Sequence, residues 1–245
     1  MTEPRFHDMP DGRRIAYRFA PGNGPALVFL PGYMSDMAGG KAEAVFAWAR
    51  QAGRACLLLD YSGCGLSDGN FAQGTLSRWC EEALALIEAQ VDGPVILIGS
   101  SMGGWLMLLA ALRLPADRLA GLVGIAAAPD FTEWAYDEAR KSALAAGETV
   151  FEDNPYGSAP TPTHPAFWAD GQTLCLTESA IMLDCPVRLL HGQADSDVPW
   201  QLSLTLAERL HSSDVQIVLV KDGDHRLSRD RDIALLLRTL AAFPA

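Results

Sequence analysis

The sequence predicts an α/β fold, a mostly parallel sheet with helices on both faces. Strand-length apolar runs alternate with helical patterns along most of the chain. The runs are continuous rather than polar-alternating, as strands covered on both faces require, and 245 residues suit one large domain better than two small ones. Residues 14–19 are the exception: they alternate, as a half-buried antiparallel strand does. Residues 26–30, 55–59, 94–98, 119–125, 186–190 and 215–220 are the further strands. Helical spacing runs through 41–51, through Leu76, Trp79, Cys80, Ala83, Leu84 and Ile87, and over 105–112. It returns between Leu202 and Leu210 and in Ile233, Leu236, Leu237 and Leu240. In sheets of this kind ligands bind beyond the carboxyl ends of the strands.

One segment breaks the rhythm. Residues 130–184 carry Phe131, Trp134, Phe151, Phe167 and Trp168 among Pro155, Pro160, Pro162 and Pro165, with no clear strand. It lies between two strands, and the expectation is a lid inserted over the site.

Composition narrows the classes. The formal net charge of −11, with no basic run, excludes nucleic acid as a partner, because phosphate contacts dominate such affinity. The longest apolar stretch, residues 119–129, is far below the roughly 18 residues that span a bilayer, so no stable membrane insertion is expected. Five scattered cysteines without a C-x-x-C pair read as reduced thiols rather than disulfides or a zinc site. The first eight residues lack the apolar core of a secretory signal and an arginine-rich presequence. The expected compartment is cytoplasmic.

Chemistry enters at Gly99-Ser100-Ser101-Met102-Gly103, set between the run 94–98 and the helix former-rich run 105–112. A G-x-S-x-G motif on a strand–turn–helix resembles the nucleophile elbow of α/β-hydrolases. Small residues are needed there because the serine backbone is strained and its neighbours approach closely. The helix that follows aims N–H groups and a favourable dipole at a developing oxyanion. A serine hydroxyl needs a base, itself oriented by a carboxylate, and in this fold the chain order is serine, acid, histidine. His225 follows the last strand in a polar, glycine-bearing loop, where a base must sit. His191 is read as structural, His211 as a helix C-terminal cap and His164 as a loop histidine. In the loop 191–199, Asp195 and Asp197 compete for the acid. The pattern H-G-x-x-D-x-x-V-P, common in this fold, selects Asp195 and leaves Asp197 to local turn bonds or helix capping. Oxyanion donors are expected from the backbone of Met102 and, in the loop 30–35, of Tyr33. The glycines of residues 60–69 shape a turn near the site, with Cys64 not needed as a nucleophile.

The resemblance extends from about residue 10 to the end. Residues 29–33 (FLPGY), 60–63 (DYSG), 99–107 (GSSMGGWLM), 188–192 (RLLHG), 198–200 (VPW) and 224–226 (DHR) are similar to the α/β-hydrolase domain-containing protein 10 group. Animal members are mitochondrial palmitoyl-protein thioesterases that also hydrolyse acyl glucuronides. The resemblance therefore implies Ser101 as nucleophile, Asp195 as acid and His225 as base, acting on small-molecule or acylated-protein substrates with no metal or organic cofactor. Met34, Trp105, Trp134, Phe167 and Trp168 are the candidates to line an acyl pocket. The rival readings are a serine peptidase, a small-molecule carboxylesterase and a non-catalytic binding module. Dehalogenases and epoxide hydrolases place a carboxylate where Ser101 stands.

Overall fold

Alternate residues of a strand point to opposite faces of its sheet, and the buried strands sort their side chains accordingly. The computed structural model describes residues 3–154, 157 and 159–243, so Pro155 lies outside the described residues. Its strands are β1 (Arg5–Asp8), β2 (Arg14–Ala20), β3 (Asn23–Leu30), β4 (Arg54–Leu59), β5 (Val95–Ser100), β6 (Leu119–Ile125), β7 (Val150–Glu152), β8 (Thr161–Thr163), β9 (Val187–Gly192) and β10 (Val215–Val220). The helices are α1 (Gly40–Gln51), α2 (Leu76–Gln90), α3 (Met102–Arg113), α4 (Phe131–Trp134), α5 (Glu138–Ala145), α6 (Pro165–Gln172), α7 (Gln201–Arg209) and α8 (Asp230–Ala241).

Eight strands form one sheet in the order β1-β2-β4-β3-β5-β6-β9-β10. β1 and β2 join antiparallel, and every pairing from β4 to β10 is parallel. Val28, Leu57 and Leu97 enter one core with Trp79 and Leu86 of α2, Trp105 and Leu106 of α3 and Leu206 of α7. Leu27, Phe29, Leu58, Ile96 and Ile98 enter the other with Val45 and Phe46 of α1 and Leu236 and Leu240 of α8. This is the doubly covered parallel sheet that the continuous apolar runs predict.

The sequence pattern misses two features. β1 is short and largely exposed at the sheet edge, so its residues carry no apolar alternation. The segment expected to lack strands holds an antiparallel ribbon, β7 with β8, with Val150 opposite Thr163 and Glu152 opposite Thr161. Three-residue strands are too short to show a period, and Pro162 is tolerated because each strand of a two-stranded ribbon is an edge. The whole segment leaves from β6 and returns at β9, which are neighbours in the sheet. Its Asp170 ties it to the main body by accepting from the Ser77 amide (2.8 Å) and hydroxyl (2.6 Å) at the start of α2. His211 does not cap: the C-cap of α7 is Leu210, and the His211 amide donates to the Ile181 carbonyl.

The crossing of α3 over β3 and β6 depends on missing side chains. A Cβ on Gly103 would lie 2.0 Å from the Leu30 carbonyl oxygen, and one on Gly104 would lie 2.4 Å from the Ala127 Cβ. Neither neighbour is the free end of a flexible chain. Gly103→Ala is expected to destabilise the fold by at least about 3 kcal/mol, read as a lowered urea midpoint.

Candidate active site

Four loops meet at the carboxyl ends of β3, β5, β9 and β10. Between β5 and α3, Ser101 adopts φ 54° and ψ −121°, a strained conformation for a residue with a Cβ. Backbone bonds hold it there. The Ser101 amide donates to the Ile125 carbonyl (2.9 Å), and its own carbonyl accepts from the amides of Gly104 (2.8 Å) and Ala128 (3.1 Å). A Cβ on Gly99 would meet the Gly103 carbonyl oxygen at 2.3 Å, so the tight turn requires glycine on the strand side as well.

The loops after β9 and β10 are packed against each other. A Cβ on Gly192 would lie 2.2 Å from the Gly223 carbonyl oxygen, which also accepts from the Ala194 amide at 2.9 Å. This close approach brings Asp195 and His225 together. His225 Nδ1 lies 2.9 Å from Asp195 Oδ2, and His225 Nε2 lies 3.1 Å from Ser101 Oγ. On its outer side the His225 loop is pinned by Lys41 Nζ, which donates to the Arg226 carbonyl oxygen. Burial, with the nearby Arg226 charge, pushes the Lys41 amine down to about 8.

Asp195 is buried and fully engaged. Its Oδ1 accepts from the amides of Asp197 and Val198, each at 2.9 Å, while Oδ2 faces both His225 and His191 Nε2, the latter at 3.2 Å. Burial by itself raises a carboxyl pKa, but hydrogen bonds from His191 and His225 outweigh it and hold Asp195 well below the usual carboxylate range. Asp195 therefore contributes stability that is present above its ordinary 3.8 and lost as pH falls below that value. Between about pH 5 and pH 2.5, urea midpoints of the wild type are expected to fall more steeply than those of Asp195→Asn.

His191, read from the sequence as structural, holds the acid from within the fold, a contact that the sequence reading does not identify. Its ring is fully buried, and Nε2 faces two acceptors, the Val198 carbonyl (3.1 Å) and the Asp195 carboxylate. Nε2 thus carries the proton, and Nδ1 accepts from the Ser203 hydroxyl at 2.7 Å. The histidine shares Asp195 Oδ2 with His225. Its place in the H-G-x-x-D pattern, four residues before the acid, is the signal that could have found it. Asp60 is a second. Its buried carboxylate accepts from the Met37 amide (2.7 Å) and the Leu66 amide (2.8 Å), tying the loop after β3 to the loop after β4. Gly65, at φ 51°, leaves room for that carboxylate: a Cβ would meet Asp60 Oδ2 at 2.2 Å. In the same loop, burial pushes the Cys64 thiol up to about 12, which removes it as a competing nucleophile at neutral pH.

The loop after β3 lies directly on the elbow, since a Cβ on Gly32 would be 3.2 Å from the Ser100 carbonyl oxygen and 3.4 Å from the Ser101 Cβ. Tyr33 follows Gly32 in that loop and Met102 is the first residue of α3, so their backbone amides flank the elbow. Both residues line a cleft of about 1340 Å³ together with Ser101, Asp195 and His225. Met34 and Trp134 line it too, Met34 half exposed at φ 56°. The structure does not bring Trp105, Phe167 or Trp168 to the cleft wall. Trp105 and Phe167 are buried in the core, with Trp105 Nε1 donating to the Leu174 carbonyl (3.1 Å), and Trp168 Nε1 donates to the Thr132 carbonyl (3.1 Å). Tyr136 and Glu152, both from the segment between β6 and β9, stand on the wall instead. Among the described residues no three His, Cys, Asp or Glu side chains are grouped to hold a metal ion, and no helix is long and apolar enough to cross a membrane.

A parallel sheet with an elbow serine, a histidine and an aspartate at its carboxyl edge has the architecture of α/β hydrolases, and the α/β hydrolase fold model matches residues 25–225. Human palmitoyl-protein thioesterase ABHD10, mitochondrial, is 38% identical over 243 residues, covering 98% of this chain and 79% of the relative. The solved structure of mouse α/β hydrolase domain-containing protein 10 superposes with a TM-score of 0.91 at 37% identity, covering 98% of this chain and 97% of that one. A putative hydrolase from Agrobacterium vitis S4 gives 0.91 at 38% identity, covering 99% and 98%. The chain belongs to the α/β-hydrolase fold family and, within it, is a hydrolase of the ABHD10 group. One expectation is corrected here. The chain was expected to be cytoplasmic, whereas the relatives from human, mouse, rat, cow and orang-utan are all named mitochondrial. Reduced thiols separate reducing from oxidising compartments but do not separate one reducing compartment from another.

Proposed function

We propose that the protein hydrolyses carboxylic esters or thioesters through an acyl-serine intermediate. The observation that carries this reading is the His225 imidazole, within hydrogen-bond reach of Asp195 on one side and Ser101 on the other, at the wall of an open cleft. His225 Nε2 takes the Ser101 proton as Oγ attacks the acyl carbonyl. The tetrahedral oxyanion accepts from the Met102 and Tyr33 amides, helped by the N-terminal end of α3. His225 then gives its proton to the departing thiol or alcohol, leaving Ser101 acylated. A water enters, loses its proton to His225 and attacks the acyl-serine carbonyl, and proton return to Oγ releases the acid. Asp195 stays ionised throughout, holds the Nδ1–H tautomer and stabilises the imidazolium, consistent with its depressed pKa. Loss of one oxyanion donor costs roughly 10²–10³ in rate at comparable sites, so the two amides carry a large share of the effect.

The ABHD10 relatives are named palmitoyl-protein thioesterases, which favours S-acylated substrates, and the resemblance carried by the sequence motifs puts acyl glucuronides second. The segment between β6 and β9 serves as a lid that helps choose among them. Turnover of p-nitrophenyl esters, palmitoyl-CoA, S-palmitoyl peptides and aminoacyl anilides tests the assignment. Esters and thioesters are expected to exceed anilides by at least about 100-fold in kcat/KM. A preference for anilides would instead make the protein a peptidase.

A further inference from the structure

We infer that the Tyr33 hydroxyl couples the segment between β6 and β9 to the oxyanion hole, positioning the Tyr33 amide for the transition state. This rests on the acyl-serine reading above and names a device within the same site. Tyr33 does two things at once. Its backbone lies in the loop packed on Ser101, while its side chain reaches into that segment. There the phenolic O–H donates to the Pro162 carbonyl oxygen of β8 at 2.9 Å.

The ring is held between two bodies. Phe131 of α4 and Phe167 of α6 lie 6.2 and 4.9 Å away, centroid to centroid, and both belong to the segment. Phe71 and Trp79, at 5.0 and 6.2 Å, belong to the body of the fold. The aromatic contacts restrict the ring, and the hydroxyl bond ties it directionally to β8. Immediately after it, Met34 takes φ 56°, a conformation a methionine adopts only when its surroundings impose it. The amide is thus poised by a strained turn that the Tyr33 side chain anchors on the segment. When the ribbon β7–β8 is seated, the donor is in place. Substrate that fills the cleft against Tyr136 and Glu152 would seat the ribbon and complete the hole, so acyl or leaving-group contacts far from the carbonyl would appear in kcat.

Tyr33→Phe keeps the amide and the ring and deletes the hydrogen bond. The control is Ser77→Ala, which removes a different tie between the body and the segment, the 2.6 Å bond to Asp170, at the start of α2. Both are assayed on p-nitrophenyl esters with active sites counted by fluorophosphonate titration, so that loss of folded protein does not pass for loss of rate. Tyr33→Phe is expected to lower kcat about tenfold with KM within about twofold, and to weaken a trifluoromethyl ketone inhibitor by the same factor, since the hole acts on the tetrahedral form. Ser77→Ala is expected to keep kcat within about twofold. An unchanged kcat in Tyr33→Phe, a rise in KM alone, or an equal loss in Ser77→Ala would overturn the coupling while leaving the acyl-serine reading intact. A wild type that the fluorophosphonate does not label would overturn both.

Discussion

Ser101→Ala is expected to lower kcat by about 10⁴–10⁶-fold on every ester and thioester that the wild type turns over. The deletion removes one atom, the one that accepts the acyl group in the proposed mechanism. Alanine keeps the Cβ, so it meets the same backbone constraint at φ 54° as serine, and the three backbone bonds that hold the turn do not involve Oγ. The melting temperature is therefore expected to stay within a few degrees of the wild type. Rates measured with p-nitrophenyl butyrate, alongside a thermal melt, check both halves. A variant that keeps more than about a tenth of wild-type activity would remove Ser101 from the chemistry.

Asp195→Asn carries the second large effect, a fall of about 10⁴ in kcat near neutral pH. The carboxylate now accepts from His225 Nδ1 and from His191 Nε2 through one oxygen. An amide in its place presents both a donor and an acceptor. The backbone amides of Asp197 and Val198 hold the amide oxygen at the Oδ1 position, which turns the NH₂ toward both histidines. His225 then takes the opposite tautomer, with its proton on Nε2, and has no lone pair to offer Ser101 Oγ. The loss is expected to shrink as pH rises, because hydroxide bypasses the missing base, so the pH–rate profile distinguishes this cause from misfolding. His191→Asn, which releases the Asp195 carboxylate from one of its two histidines without touching His225, should cost far less activity and more stability, an outcome read by pairing kinetics with urea unfolding.

Much of the site was legible in the sequence because its chemistry sits where local patterns are strongest. Ser101, Asp195 and His225 each follow a strand by a few residues, and a short apolar run followed by a glycine-bearing loop is visible without any tertiary knowledge. The glycines around Ser101 carry their own reason, since the spaces at Gly99, Gly103 and Gly104 are filled by backbone and by Ala127. The aromatic residues were harder. Trp105 and Phe167 have the same apolar character whether they face a cleft or a core, and helical spacing does not tell which side of a helix meets which neighbour. Phe167 turned out to pack on Tyr33 rather than on the cleft, and Tyr136 and Glu152 took the wall positions. The ribbon β7–β8 escaped notice for a different reason, since three residues show no period and Pro162 argues against a strand. His191 was visible as a residue but not as a partner, because its contact with Asp195 depends on the loop turning back under the carboxylate. Compartment was not legible at all, as thiol chemistry alone does not address it.

Mass spectrometry of the intact protein after exposure to a fluorophosphonate, followed by peptide mapping, reads the central claim most directly. One adduct per chain, located on Ser101 and lost when His225 is replaced by alanine, is the result this account predicts. An adduct on Ser100 or any other residue, or none in a folded protein, would contradict it.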